Sequence, residues 1–253
     1  MKKTKYTTHF YDDYVDESSS SARVVRDALL KYIPQPNTVI DVGCGIGTWL
    51  NAWQEIGATV QGVDGAYVNR AQLLINPDNF LEMDLASPVA IDRKFDLAES
   101  LEVAEHLADN KADAFVEFIC SLSSMVLFGA AMPYQGGTHH INEQWPEYWA
   151  EKFHKLGYVC VDVIRDEVWT NNKCAYYYAQ NTFLYVQQDL LNDYPQLKAI
   201  AEKTDISFLG RVHPKKWIEA HEGTMKLEDL LKRFPSSFFN FFVRAFNKIK
   251  QSI

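Results

Sequence analysis

Apolar residues in this chain fall into short runs that end on glycine or an acidic residue, and most runs are followed by a stretch with helical spacing. Thr38–Val42, Thr59–Asp64 and residues 80–85, 95–100 and 125–132 read as strands one to five. The fifth is apolar at nearly every position, as a strand buried on both faces should be. Residues 48–56 read as a helix stopping before Gly57, and residues 146–156 as a helix stopping before Gly157. Residues 158–165 and 175–186 look like two long final strands separated by a polar turn at Asn171 and Asn172. Strands alternating with helices predict an α/β fold with a doubly wound parallel sheet, whose ligand crevice opens at the carboxyl ends of the strands.

The two ends of the chain do not follow this alternation. Residues 6–21 mix Tyr6, Phe10, Tyr11 and Tyr14 with Asp12, Asp13, Asp16 and Glu17 without a clear period, which suggests an arm or lid. Ser20 or Ser21 is placed to cap a helix over residues 22–33, ended by Pro34. Residues 188–253 are helical in pattern. Their last stretch, 237–253, carries Phe238, Phe241, Phe242, Ala245, Phe246, Ile249 and Ile253 on one face and Asn240, Arg244, Asn247, Lys248 and Gln251 on the other. Such a helix packs on its own core, joins a second copy in a homodimer, or lies on a membrane surface. The expected organisation is an arm over residues 1–21, a central domain over 22–187 and a helical extension over 188–253.

Composition narrows the class of ligand. The chain has 253 residues, 47% hydrophobic and 23% charged, with a net charge of −8. That size allows a substantial core, and the acidic balance disfavours nucleic acid, which calls for clustered Lys and Arg. Small neutral or cationic ligands fit better. Cys44, Cys120, Cys160 and Cys174 are scattered with no Cys-x-x-Cys pair, as expected in a reducing compartment. A basic start followed by polar residues, and no apolar run of spanning length, lead to a cytoplasmic expectation.

The first candidate site is the loop after strand one, Asp41-Val42-Gly43-Cys44-Gly45-Ile46-Gly47. Its glycines allow a tight turn, and the helix entered at Gly47 aims amide groups at whatever lies over the loop. One βα unit later, Asp64 ends strand two, where a carboxylate can accept hydrogen bonds from both hydroxyls of a ribose. Glu102, Glu105 and His106 form a second cluster beyond strand four. Spaced i, i+3 and i+4, they would share one face of a helical turn, a plausible divalent-cation site.

The alternating glycines behind Asp41 resemble motif I of class I S-adenosylmethionine (SAM) methyltransferases. The resemblance implies a Rossmann-like, seven-stranded sheet with a terminal antiparallel hairpin, and SAM as cofactor. It assigns the cofactor site to Asp41, Gly43, Cys44, Gly45, Gly47, Asp64 and Glu99, with Asp84 accepting from the adenine amino group between Met83 and Leu85. Glu-x-x-Glu-His beyond strand four resembles the magnesium motif of ubiquinone-pathway O-methyltransferases and of enzymes that 2′-O-methylate small-RNA 3′ ends. Those families add a histidine after strand five. His140 matches that position best, with His139 next, so the implied metal ligands are Glu102, Glu105, His106 and His140, holding magnesium or manganese. The loop from Gln135 to Trp145 is also similar to that of bacterial methyltransferases of surface-glycan synthesis.

These likenesses imply an O-methyltransferase acting on a hydroxyl of a sugar, sugar nucleotide or related small molecule. His139, His140 and Glu143 are the candidate catalytic residues, with His139 or Glu143 able to take the proton. Two readings stand beside it: a metal-independent N- or O-methyltransferase, and a scaffolding subunit that kept the fold.

Overall fold

The computed structural model describes residues 8–221, with side chains from Val15 to Ala220. Its contacts divide the chain into two units, residues 1–213 and 214–253. The amphipathic stretch 237–253, with its dimer and membrane expectations, lies outside the described residues, as do residues 1–7. In the second unit, the helix Pro214–His221 is the described element.

The first unit is built on seven strands: β1 (Thr38–Val42), β2 (Thr59–Asp64), β3 (Phe80–Glu82), β4 (Leu97–Leu101), β5 (Met125–Gly129), β6 (Tyr158–Val161) and β7 (Phe183–Gln187). Their order in the sheet is β3-β2-β1-β4-β5-β7-β6. β1 pairs in parallel with both β2 and β4, so the strand order reverses between them, where an open α/β sheet forms its ligand crevice. β7 runs antiparallel to β5 and to β6. The expected seven-stranded sheet with an antiparallel end is therefore the observed one.

Helices cover both faces. α1 (Thr8–Leu29) and α2 (Thr48–Gln54) bury Val25, Leu29, Leu50 and Trp53 against one side of the sheet. α3 (Ala112–Leu122) and α4 (Pro146–Lys155) bury Phe115, Ile119, Trp149 and Phe153 against the other. α7 (Pro195–Ala201) adds Leu197 to the first side, so part of the stretch after β7 packs into the core of this unit.

Several local expectations are corrected. The helix expected from residue 22 begins at Thr8, and its serines are interior positions, not caps. Ser21 Oγ donates to Glu17 O at 2.7 Å and accepts from Ala175 N at 2.9 Å, while Ser18 Oγ lies 3.0 Å from Thr48 Oγ1. Strands three, four and five end or start two to three residues from their expected bounds. The two long final strands are each interrupted: α5 (Arg165–Val168) follows β6, and α6 (Tyr176–Asn181) precedes β7. Aromatic residues gave that stretch its strand-like look. Tertiary packing decides otherwise, because the helix seats Tyr178 edge-on against Trp49 at 4.8 Å and brings Asn181 to the sheet edge.

Candidate functional site

A cleft of about 860 Å³ opens at the carboxyl ends of β1, β2 and β4, lined among others by Gly43, Gly45, Asp64, Met83, Asp84 and Leu85. Glu102, His106 and His139 line it as well. A smaller cleft of about 430 Å³ lies around Pro34, Lys94 and Ser124, at the other end of the strands. Of the sequence-predicted residues, Gly43, Gly45, Asp64, Met83, Asp84, Leu85, Glu102, His106 and His139 line the larger cleft, while Asp41, Cys44, Gly47, Glu99, Glu105, His140 and Glu143 do not.

The glycine loop shapes one wall. Gly43 has φ +95°, and a Cβ there would lie 2.4 Å from Val103 Cγ2, so a side chain would collide with the turn after β4. Gly45, at φ +53°, faces open space with no atom within 4 Å of its ideal Cβ. A ligand can therefore approach the backbone there. Cys44 is buried, and burial pushes its thiol well above the ordinary range, so it packs as a small apolar group.

Two buried carboxyls sit beneath the loop. Asp41 and Glu99 are register partners on β1 and β4, both buried. Burial first, then the Glu99 and Asp64 charges, push Asp41 well up, and burial pushes Glu99 to about 8. Glu99 Oε2 accepts from Trp53 Nε1 at 2.9 Å, while Oε1 has no hydrogen-bond partner among the described residues. Asp64 Oδ2 accepts from Gly45 N and Oδ1 from Gly65 N, each at 2.7 Å. Tyr67 adds its hydroxyl to Oδ1, a partner that sequence reasoning missed although it stands three residues after the predicted ribose acid. On β3's continuation, Asp84 is exposed and accepts from Ala86 N at 2.9 Å, beside the half-buried Met83 and the buried Leu85.

Across the cleft, a 3-10 turn over Ala104–His106 carries Glu105 and His106. Glu105, His106 and His140 each offer a ligand atom, and these atoms lie within 4.8 Å of one another. Glu102 is not brought into this group. Its φ of +58° breaks the expected helical turn, and its carboxylate instead accepts from Gln135 Nε2 at 2.5 Å and Asn181 Nδ2 at 2.7 Å. Burial, outweighing those two donors, raises Glu102 to about 7. Gln135 and Asn181 had no sequence signal, since the second stood in an expected strand.

The loop after β5 is tied to the 3-10 turn. Ile141 N and Asn142 N donate to Glu105 O at 2.9 and 3.0 Å. His106 Nδ1 lies 3.3 Å from His139 O, and His140 Nδ1 lies 3.0 Å from Glu143 Oε1. Each ring thus has its Nδ1 engaged, leaving Nε2 for a ligand. His140 Nε2 is 3.9 Å from Glu105 Oε1.

Glu105 tests whether this cluster suits a cation. Its side chain is fully buried, and among the described residues neither carboxylate oxygen has a hydrogen-bond partner of good geometry. Burial and the Glu102 charge drive its pKa well up, only partly opposed by the backbone amides of Glu105 and Ala131. A buried carboxylate so weakly satisfied is costly, and a metal ion is one of the few groups that removes the cost. Burial and His140 lower the His106 pKa, which keeps that ring neutral and able to ligate. One carboxylate and two imidazoles suit manganese, iron or zinc at least as well as magnesium.

Residues 15–124 match a methyltransferase domain family model. The ubiquinone biosynthesis O-methyltransferase of Methylobacterium sp. (strain 4-46) is 33% identical over 90 residues, which are 33% of this chain and 35% of that protein. The protein of the same name from Bartonella tribocorum (strain CIP 105476 / IBS 506) is 36% identical over 77 residues, 28% of this chain and 31% of that one. The aligned part is therefore about a third of these curated relatives' length. Among solved structures, human N-acetylserotonin methyltransferase in complex with SAM superposes with a TM-score of 0.51 at 16% identity, covering 70% of this chain and 55% of that one. Magnesium protoporphyrin IX methyltransferase from Synechocystis PCC 6803 with bound S-adenosylhomocysteine gives 0.50 at 17% identity, covering 74% and 90%. At such identities the structures speak for the fold alone. Residues 15–124 thus resemble a methyltransferase domain, and the sheet has the fold of the SAM-dependent methyltransferases it superposes on.

Proposed function

We propose that the protein is a metal-assisted O-methyltransferase acting on a hydroxyl of a sugar, sugar nucleotide or related small polyol. The observation that carries this reading is the orphaned Glu105 carboxylate, flanked by His106 and His140, in a turn whose His106 shares one cleft with the glycine loop. The net charge of −8 supports a small acceptor over a nucleic acid. The name shared by the curated relatives supports transfer to oxygen.

In this reading Gly45 lets the cofactor approach the backbone, Gly43 and Gly47 let the loop turn tightly against Val103 and Ile75, Asp64 accepts from the cofactor ribose, and Met83 and Leu85 flank the adenine beside Asp84. When bound there, SAM supplies an electrophilic methyl group. Asp41, Cys44 and Glu99 support the loop from below without facing the open cleft. Glu105, His106 and His140 would hold the divalent ion, which when bound lowers the pKa of a coordinated hydroxyl. Glu102 lines the cleft with its carboxylate clamped by Gln135 and Asn181, outside that set. His139 lines the cleft and takes the acceptor's proton, since both oxygens of Glu143 are already engaged. Holding the two reactants at one sheet edge supplies the orientation that an in-line displacement needs.

The test is formation of S-adenosylhomocysteine from SAM with a panel of sugars, sugar nucleotides and catechols, after chelation and after manganese is restored. The proposal requires turnover that depends on both acceptor and metal and is lost in Glu105→Gln. Equal turnover by chelated protein favours the metal-independent reading, and turnover confined to catechols overturns the carbohydrate assignment.

A further inference from the structure

Glu143, the one acid in the loop between β5 and α4, is tied into that loop by both of its oxygens. Its Oε2 accepts from Tyr134 N at 2.8 Å. Its Oε1 accepts from Gly136 N at 2.7 Å and lies 3.0 Å from His140 Nδ1. Tyr134 and Gly136 both have left-handed backbones, φ +68° and +74°, and their amides turn toward one carboxylate in an anion-binding nest. The same side chain therefore closes the loop and holds one ring.

We infer that Glu143 is a positioning residue that fixes His140 with its proton on Nδ1, so that Nε2 presents a lone pair beside Glu105. The inference rests on the proposed metal reading and deepens it. A ligating histidine needs its second nitrogen anchored, and a carboxylate there both orients the ring and makes it a better donor. Glutamine cannot replace this acid. A backbone N–H points at each of its two oxygens, so a carboxamide would set its own N–H against one of them. A proton-accepting role would cost the loop these same bonds.

The experiment measures manganese binding by calorimetry for the wild-type protein, Glu143→Gln and Glu143→Ala, with S-adenosylhomocysteine affinity alongside. Nitrogen NMR of the His140 ring adds a readout that loop packing alone does not set. Manganese affinity is expected to fall about 10- to 100-fold in both variants. S-adenosylhomocysteine affinity should stay unchanged, and the His140 proton should move off Nδ1 in Glu143→Ala. Manganese affinity within about twofold of wild type overturns the assignment, as does a parallel loss of S-adenosylhomocysteine binding, which would mark general disruption. If the wild-type protein binds no manganese, the metal reading itself fails, and this assignment with it.

Discussion

The hydroxyl of Tyr67 donates to Oδ1 of Asp64, the carboxylate predicted to hold the cofactor ribose. Gly65 N also reaches Oδ1, and Gly45 N reaches Oδ2. A carboxylate offers about four acceptor positions, so these bonds leave one open where a ribose diol needs two. Tyr67 is the one side chain among the three donors, and as a residue it is 83% exposed. Tyr67→Phe should therefore bind S-adenosylhomocysteine several-fold more tightly than wild type. Weaker binding would instead make the hydroxyl a cofactor contact.

Glu99 links the site to stability. Burial raises its pKa from an ordinary 4.5 to about 8. The folded protein holds a proton at Glu99 that the unfolded chain releases near its ordinary value, so this group's contribution is complete below about 4.5. It is lost as pH rises toward about 8. Denaturant titrations should show Glu99→Gln losing less stability than wild type between pH 5 and pH 8. The difference should be on the order of a few kcal/mol, as each pKa unit carries about 1.4 kcal/mol. Parallel pH curves for the two proteins would contradict it.

Gly137 leaves room for a ligand side chain. A Cβ there would lie 2.2 Å from His140 Nε2. Since Gly137 is exposed, Gly137→Ala should fold normally while displacing the His140 ring, and manganese affinity should fall by about tenfold or more. Unchanged manganese binding would place the ring's working position elsewhere.

The face of the sheet behind the site is aromatic. Phe153 stacks on Tyr185 with centroids 3.9 Å apart and planes 15° apart, and it meets Phe128 at 5.2 Å. Phe153→Ala should cost about 3–5 kcal/mol of stability with the far-ultraviolet spectrum retained. A cost under about 1 kcal/mol would mean that the core closes over the gap.

What could be read from sequence was what short-range pattern controls. β1, β2 and the glycine loop were legible because apolar strands and positive-φ glycines leave local marks, as Val39 to Val42 and Gly43 to Gly47 do. Residues 176–181 were not, because their aromatic run favours a strand and the helix is fixed by distant contacts such as Tyr178 with Trp49. Helical spacing brought Glu102, Glu105 and His106 to one face on paper. The left-handed backbone of Glu102 separates them in the structure, since its carboxylate answers to Gln135 and Asn181, 33 and 79 residues away. The clip that Glu143 forms from Tyr134 to His140 was equally invisible, as it depends on two φ values that sequence does not print.

The most direct test of the account is calorimetric titration of S-adenosylhomocysteine into the wild-type protein and Asp64→Asn. Saturable binding at one site is predicted, with a Kd at or below about 100 µM, weakened by about tenfold or more in the variant. Absence of binding by the wild-type protein at millimolar concentration would contradict the cofactor site on which the rest depends.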